Sequence, residues 1–379
     1  MKAVIVAYAR TPFHFARKGA LATTRPEDLL ATAIRGVLDK APVPLDAIED
    51  VIAGCAYPEG PQGNNIARIA ASMAGLPNTV SAMTVNRFCG SSMTAVHLAA
   101  AQIEAGIGEA YVCAGVESMT MVPQGGLTFD PHPGLVAQGT DLYMPMGQTA
   151  ENVAERWAVG RADQEQLALA SHQKAAAARA NGLLRDEIVP VTTPTGEVVS
   201  EDGCIRPQTT LEALASLKPA FRADGVVTAG TSSPLTDGAA AVMVVHKDFA
   251  LRHGLKPLAR IVSCASAGVD PDVMGIGPVP ATRKALARAG LTAADLDVVE
   301  INEAFSSQAL ACIRELGLRP ETVNLDGGGL AIGHPLGATG ARITGKAAAL
   351  LQRTKGRYAL ATQCIGGGQG VATVLENLS

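Results

Sequence analysis

Two cysteines, a histidine and an asparagine stand where this chain could carry out nucleophilic chemistry. Cys89 lies in Val85-Asn86-Arg87-Phe88-Cys89-Gly90-Ser91-Ser92, after a predicted strand and at the start of a predicted helix. Free backbone N–H groups and the positive end of a helix dipole favour a thiolate there, so the spacing predicts a Cys89 pKa below the free value of about 8.5. The Cys89 N–H is also a candidate oxyanion donor. A buried structural cysteine at a strand end accounts for the same residues. Cys364, in Gln363-Cys364-Ile365-Gly366-Gly367-Gly368-Gln369-Gly370, again follows a predicted strand. It reads either as a second thiol with a proton to shuttle or as an incidental thiol in a turn. Its placement, symmetric with Cys89, favours the first. His334 sits in the glycine-crowded stretch Gly327–Gly340, which nothing in core packing demands. A neutral imidazole there could take a thiol proton and donate to a developing oxyanion. A phosphate loop is the competing reading, but no Gly-Lys-Ser/Thr follows and no acidic ribose partner is spaced for a dinucleotide. Asn302-Glu303-Ala304-Phe305 closes another predicted strand. The Asn could order a water there, and the Glu could be a base or a buried hydrogen-bond partner.

The elements that must position these residues alternate between apolar β-branched runs and Ala-rich stretches of helical period, the pattern of an α/β fold on a buried sheet. Strands are predicted over 3–7, 50–54, 82–85, 110–114, 239–246, 259–267, 298–302 and 358–363. Helices are predicted over 26–40, 66–74, 91–105, 150–157, 161–181, 280–289, 306–316 and 340–352, with Ser306 or Ser307 as a cap and Gly106 and Gly290 as helix ends. A faint repeat runs through the chain. Leu45-Asp46 and Asp50-Val51-Ile52 are echoed by Leu296-Asp297-Val298-Val299, Thr84-Val85-Asn86 by Thr322-Val323-Asn324, and Ala110–Gly115 by Tyr358–Gly366. The shared order predicts two similar α/β halves. We divide the chain into an N-terminal half (1–120), an inserted loop domain closing over the site (121–240) and a C-terminal half (241–379).

Composition narrows the function classes. Of 379 residues, 47% are hydrophobic and 17% charged, which excludes a disordered chain. The net charge is −4 with no long Lys/Arg run, which argues against nucleic acid as a partner. No apolar stretch reaches the roughly 18 residues of a membrane span, and no signal peptide is read at the start, so a cytoplasmic protein is expected. The seven scattered cysteines form no Cys-x-x-Cys pair, and no His/Asp/Glu cluster has ligand spacing, so neither disulfides nor a metal is expected.

The segments Val85–Ser92, Asn302–Phe305, Gly327–Gly340 and Cys364–Gly370, in that order, resemble the motifs of the thiolase family, and the resemblance covers essentially the whole chain. It implies a thiolase-like fold of two similar βαβαβ halves, layered α-β-α-β-α, with a loop domain inserted. It implies reversible thioester Claisen chemistry with coenzyme A as substrate and no cofactor. Cys89 would be the acylated nucleophile. His334 would activate it and, with a water held by Asn302, form an oxyanion hole for the thioester oxygen. Cys364 would be the acid/base at the α-carbon, and the N–H groups of Cys89 and Gly366 would form a second oxyanion hole. Arg206, Phe221, Ser233 and Met146 match positions that contact coenzyme A or the acyl group.

Stretches such as Phe129–Leu135 and Met144–Val153, and Pro145 where acetoacetyl-CoA-forming members usually carry His, resemble the degradative 3-ketoacyl-CoA thiolases of fatty-acid β-oxidation. Asp326 and Gly329 depart from the usual Asn and Ala, and Gly367-Gly368 is similar to the biosynthetic branch. The resemblance also implies a homodimer or homotetramer, with a β-oxidation partner carrying hydratase and dehydrogenase activities as a further possibility. The rival readings are a short-chain acetyl-CoA acetyltransferase, a Cys-dependent thioesterase and a non-catalytic partner subunit.

Overall fold

A computed structural model describes residues 1–378. Nine strands form one sheet path: β1 (Ala3–Arg10), β2 (Asp50–Gly54), β3 (Ser81–Val85), β4 (Ala110–Ser118), β5 (Thr236–His246), β6 (Ala259–Gly268), β7 (Val298–Ile301), β8 (Tyr358–Ile365) and β9 (Gln369–Glu376). The main helices are α1 (Pro26–Lys40), α2 (Ile66–Met73), α3 (Ser91–Glu104), α4 (Met146–Arg156), α5 (Arg161–Ala180), α6 (Pro278–Ala289), α7 (Ser306–Leu316) and α8 (Thr339–Thr354).

The sequence repeat is a structural repeat. The N-terminal strands run in the order β3-β2-β4-β5-β1, with β2 parallel to both neighbours and the other pairs antiparallel. The C-terminal strands run β7-β8-β9-β6 with the same senses, and a parallel bridge from Val299 to Val323 stands where β3 pairs with β2. All three sequence echoes therefore fall on equivalent strand positions. The halves meet edge to edge where β1 pairs with β6 through only Val4–Arg260 and Ile5–Ala259.

Side-chain alternation along the strands builds the layers. Leu30, Ile34 and Val37 of α1 cover one face of the N-terminal strands, against Val51, Val112 and Val245. The opposite face presents Ile5, Ile52 and Val244 to a central layer made by α3 and α8, through Met93, Val96, Ile343 and Ala347. Ala359, Ala361 and Val371 of the C-terminal strands close that layer from the other side. Their neighbours Leu360, Ala372 and Val374 face outward onto α6 and α7, through Ala285, Leu286 and Ile313. The result is the α-β-α-β-α sandwich, with both halves sharing the α3–α8 layer.

Four expectations need correction. The strand predicted with the C-terminal elements over 239–246 runs instead between β4 and β1, completing the N-terminal sheet. Strand β9 was not predicted at all; Gly367 and Gly368, both at positive φ, turn β8 straight back into it. The helix at Ser306 has no side-chain cap: Phe305 is its N-cap, Ser307 Oγ donates to the Ala150 carbonyl, and Ser306 Oγ is buried without a partner among the described residues. Gly290 does end α6, in the left-handed conformation. In the inserted segment, α4 begins at Met146 rather than near 150, directly after Pro145, whose fixed φ suits a helix start.

Buried ion pairs bind the insertion to the sheet. Arg10, fully buried at the end of β1, grips Asp202 through both guanidinium nitrogens (2.6 and 2.7 Å) and donates to Glu187 at 2.9 Å. Glu187 also accepts from Lys346 of α8 at 2.8 Å, so the segment is tied to the central layer too. Removing one partner of such a group typically costs about 3–5 kcal/mol.

Candidate active site

The site is assembled by the N-terminal ends of the two central helices. A Cβ on Gly340 would lie 2.2 Å from the Met93 nitrogen, so only glycine lets α8 approach α3 this closely. The Ala341 N–H donates to Ser92 Oγ at 2.8 Å across the same crossing. The turn before α3 carries Cys89, and the loop before α8 carries His334. The thiol packs in a small apolar cluster with Ala56, Met119 and Leu336, two residues beyond His334.

The Cys89 turn is held in an unusual backbone conformation. Phe88 has φ of +43°, a strain a non-glycine residue keeps only when its surroundings impose it. Asn86 imposes it: Oδ1 accepts from the Phe88 N–H at 2.8 Å and Nδ2 donates to the Ala56 carbonyl at 3.0 Å. Gln363 donates to the Cys89 carbonyl from the neighbouring β8. The thiol receives hydrogen bonds from the Gly366 N–H and from its own N–H, both of which favour thiolate, yet burial outweighs them and pushes it up to about 11. The expected lowering is therefore overturned: desolvation exceeds the N-terminal helix field, and the resting group is a neutral thiol.

His334 is buried, and burial together with the charge of Arg342 lowers its pKa to about 3, so the imidazole is neutral. Its tautomer follows from the network. The Thr339 hydroxyl donates to the Pro335 carbonyl (3.1 Å) and so accepts from Nδ1–H at 2.6 Å, leaving Nε2 as the acceptor. Nε2 lies 3.3 Å from Asn302 Nδ2, while Asn302 Oδ1 is buried without a partner among the described residues. The His334 N–H is anchored on Thr236 Oγ1 at 3.1 Å.

Cys364 is buried beside Met146, Ala150 and Phe305. Burial, then the neighbouring Cys89, raise its pKa well above the ordinary thiol value, so it holds its proton. Gly366 sits against Met146, whose Sδ would be 3.4 Å from an added Cβ. Glu303 is a structural acid and not a free base: it accepts from Ser171 Oγ (2.7 Å), Asn324 Nδ2 (2.7 Å) and the Leu330 N–H (3.2 Å), fixing the approach to the histidine loop.

The four residues matched to coenzyme A contacts are not equally drawn in. Met146 touches the Gly366 turn. Phe221, exposed, stacks edge-on with Phe305 at 5.9 Å and lies over Gly147. The Ser233 N–H donates to the Ala304 carbonyl, two residues beyond Asn302. Arg206 stands apart, exposed over the ring of Phe15 at 5.1 Å.

Sequence reasoning missed the residues that hold the candidate site residues in place. Thr339, Thr236 and Gln363 are among them, and so is Glu117, whose buried carboxylate accepts from the N–H groups of Ala56 (2.8 Å), Tyr57 (3.2 Å) and Gly337 (2.9 Å) and from Gln62 (2.8 Å). Glu117 thereby joins the loop after β2 to the histidine loop. An acid following the apolar run Ala110–Val116 was the available signal. Among the described residues, no group of three or more His, Cys, Asp or Glu is placed to hold a metal, and no helix is long and apolar enough to cross a membrane.

Comparison with known proteins agrees with this architecture. Residues 3–248 match the family model "Thiolase, N-terminal domain" and residues 255–377 match "Thiolase, C-terminal domain". The chain is 47% identical to the 3-ketoacyl-CoA thiolase of Bacillus subtilis (strain 168), over 99% of each chain. It is also 47% identical to the 3-oxoadipyl-CoA/3-oxo-5,6-dehydrosuberyl-CoA thiolase of Escherichia coli (strain K12), over 95% of this chain and 96% of that one. A 3-ketoacyl-CoA thiolase of Shewanella denitrificans is 46% identical over the full length of both. With both domain models matched in order along a two-fold repeated sandwich, and with relatives this similar from end to end, the chain belongs to the thiolase family.

Proposed function

We propose that this protein is an acyltransferase that cleaves 3-ketoacyl-CoA with coenzyme A, giving acetyl-CoA and a shortened acyl-CoA through an acyl thioester on Cys89. The observation that carries the reading is a thiol under two converging N–H groups, packed against Leu336 of the loop that holds a neutral imidazole whose Nε2 is left as the acceptor. In the resting protein both groups are neutral, so the proton leaves Cys89 as the sulfur attacks the 3-keto carbon, and His334 takes it. The bond between C2 and C3 then breaks. Its electrons pass to the departing acetyl-CoA as an enolate, whose thioester oxygen is held by His334 and a water on Asn302, while Cys364, still protonated, supplies the α-proton. Coenzyme A next gives its thiol proton to the Cys364 thiolate and attacks the acyl carbon on Cys89, whose carbonyl oxygen lies between the N–H groups of Cys89 and Gly366; the bond to the Cys89 sulfur then breaks, the shortened acyl-CoA leaves, and His334 returns the proton to Cys89.

The inserted segment 121–240 covers the site between the halves 1–120 and 241–379 and supplies the coenzyme A contacts, with β5 returning to the first half. Arg206 offers charge to a phosphate or a face to adenine, Ser233 hydrogen-bonds the pantetheine, Phe221 flanks it, and Met146 borders the acyl group. The reading extends to a cytoplasmic homodimer or homotetramer acting in fatty-acid β-oxidation, alone or beside a subunit with hydratase and dehydrogenase activities.

The test is coenzyme A-dependent cleavage of 3-ketoacyl-CoA esters from four to sixteen carbons, with 3-oxoadipyl-CoA alongside. Turnover of medium and long chains supports the degradative reading. Turnover of acetoacetyl-CoA alone points to the short-chain acetyltransferase. Release of free acid without coenzyme A refutes thiolysis.

A further inference from the structure

We propose that Glu300 is a positioning residue for the histidine: its carboxylate offsets the charge that Arg342 brings to His334, and so sets how readily the imidazole accepts the Cys89 proton. The inference rests on the thiolase reading above, in which His334 takes that proton. Strand side chains alternate, so Val298, Glu300 and Asn302 share one face, the one that Val298 packs into the central layer. Asn302 Nδ2 lies 3.3 Å from the imidazole. On α8, Arg342 stands one turn beyond Thr339, whose hydroxyl holds His334 Nδ1. Glu300 and Arg342 are both buried, and Nη1 donates to Oε2 at 3.4 Å. The pair thus ties the strand that carries Asn302 to the helical turn that fixes the His334 tautomer.

Its geometry differs from that of the other buried arginine–carboxylate contacts. Arg10 grips Asp202, and Arg353 grips Asp326, through two bonds of 2.6 and 2.7 Å each. The Glu300 pair makes one long contact, and Glu300 Oε1, Arg342 Nε and Arg342 Nη2 are buried without a partner among the described residues, as is the Tyr8 hydroxyl. A buried pair supports a fold only when its remaining donors and acceptors are satisfied, so this one is poorly made for stability. What it keeps is charge beside the site. Burial, and then Arg342, disfavour a proton on His334, and Glu300 is the carboxylate paired with that arginine. Glu300 is itself poised to titrate. Burial raises its pKa, Arg342 and Lys346 of α8 lower it, and Asp326 and Glu187 raise it again, leaving about 7. Tyr8 of β1 faces the same charges and keeps its proton. Below that value Arg342 acts on His334 unopposed; above it the pair is neutral overall and the imidazole is the better base.

The experiment is alkylation of Cys89 by iodoacetamide in the full-length protein from about pH 6 to about pH 9, read at Cys89 by mass spectrometry. Wild type, Glu300→Gln, Glu300→Gln/Arg342→Met and His334→Ala are compared, each checked for folding by circular dichroism. The wild-type rate is expected to rise through a step near pH 7. Glu300→Gln loses that step and reacts about tenfold more slowly above it. Removing the arginine as well takes away the unopposed charge and restores most of the rate, which a purely structural role for Glu300 would not allow. An unchanged rate and profile in Glu300→Gln, or a double variant no faster than the single, overturns the proposal. Should Glu300→Gln not fold, a wild-type step near pH 7 in the double variant overturns it equally. Slow alkylation in His334→Ala beside a wild-type profile in Glu300→Gln overturns this inference and leaves the thiolase reading standing. Wild-type alkylation in His334→Ala removes the base on which both rest.

Discussion

Thr339→Val is the most incisive perturbation of the histidine. Val keeps the shape of Thr but removes the oxygen that accepts from His334 Nδ1–H at 2.6 Å and donates to the Pro335 carbonyl at 3.1 Å. The imidazole lies in a buried loop, and its Nδ1–H left unpaired costs about 1–3 kcal/mol, whereas the Pro335 carbonyl keeps the N–H groups of Ala338 and residue 339. The imidazole is then free to move its proton to Nε2, which removes the acceptor for the Cys89 proton. Only the fraction in the correct tautomer and orientation still reacts. A penalty of this size lowers kcat/KM for thiolysis about 5–150-fold. Thr339 contacts His334 and not the proposed substrate positions, so the loss falls on kcat and on the rate of acyl-enzyme formation, with little change in KM. Thr339→Ser restores the oxygen and most of the activity. Steady-state and single-turnover kinetics on protein shown to be folded by circular dichroism decide the matter. Activity of folded Thr339→Val within about twofold of wild type, or equal damage in the Val and Ser variants, would refute the assigned tautomer.

Further outcomes are expected from the same structure. Cys89→Ala abolishes acyl-enzyme formation, whereas Cys364→Ala still acylates but no longer exchanges the α-proton of acetyl-CoA, read by mass spectrometry and by deuterium exchange; full exchange in Cys364→Ala would reverse the acid/base assignment. Gly340→Ala forces a Cβ against the Met93 nitrogen, lowering stability in urea by about 1–3 kcal/mol and reducing activity as the two loops part; an unchanged midpoint with full activity would show the crossing to be slack. Burial alone would raise the Glu187 pKa, but Lys346 and Arg10 overcome it and hold the carboxyl at about 2, below its ordinary 4.5. A depressed acid stabilises fully above its unfolded pKa, so on the order of 3 kcal/mol is present above about pH 4.5 and lost as pH falls toward about 2. Glu187→Gln flattens that part of the pH–stability curve, and an identical acid transition in the variant would contradict the pairing.

Much of the architecture was legible because it rests on local pattern. The limits of α1 and α7 and of β2 matched the sequence reading residue for residue, since each is a periodic apolar stretch bounded by breakers. β9 was missed because the glycines before it served as evidence for an active-site loop, and a hairpin turn uses the same residues. The strand 236–246 was found but assigned to the wrong half, because strand pairing across more than a hundred residues leaves no local trace. Within the candidate site, Cys89, Cys364, His334 and Asn302 stood out as reactive types beside glycine clusters. Thr339, Glu117 and Asn86 did not, because a hydrogen-bonding role depends on the partner, and their partners come from other segments of the chain.

By itself the sequence determined the alternation of strands and helices, the order of the repeated halves and the four segments whose residue types can do acyl-transfer chemistry. These follow from periodicity and composition, which act over neighbouring residues. Only the tertiary structure decided which strands close each sheet, how near α8 comes to α3 at Gly340, and the protonation of the reacting groups. The Cys89 thiol shows why. Its helix-terminal position argues for an ionised sulfur, but the free energy of a charge depends on everything packed around it, and burial supplied by distant elements leaves it neutral.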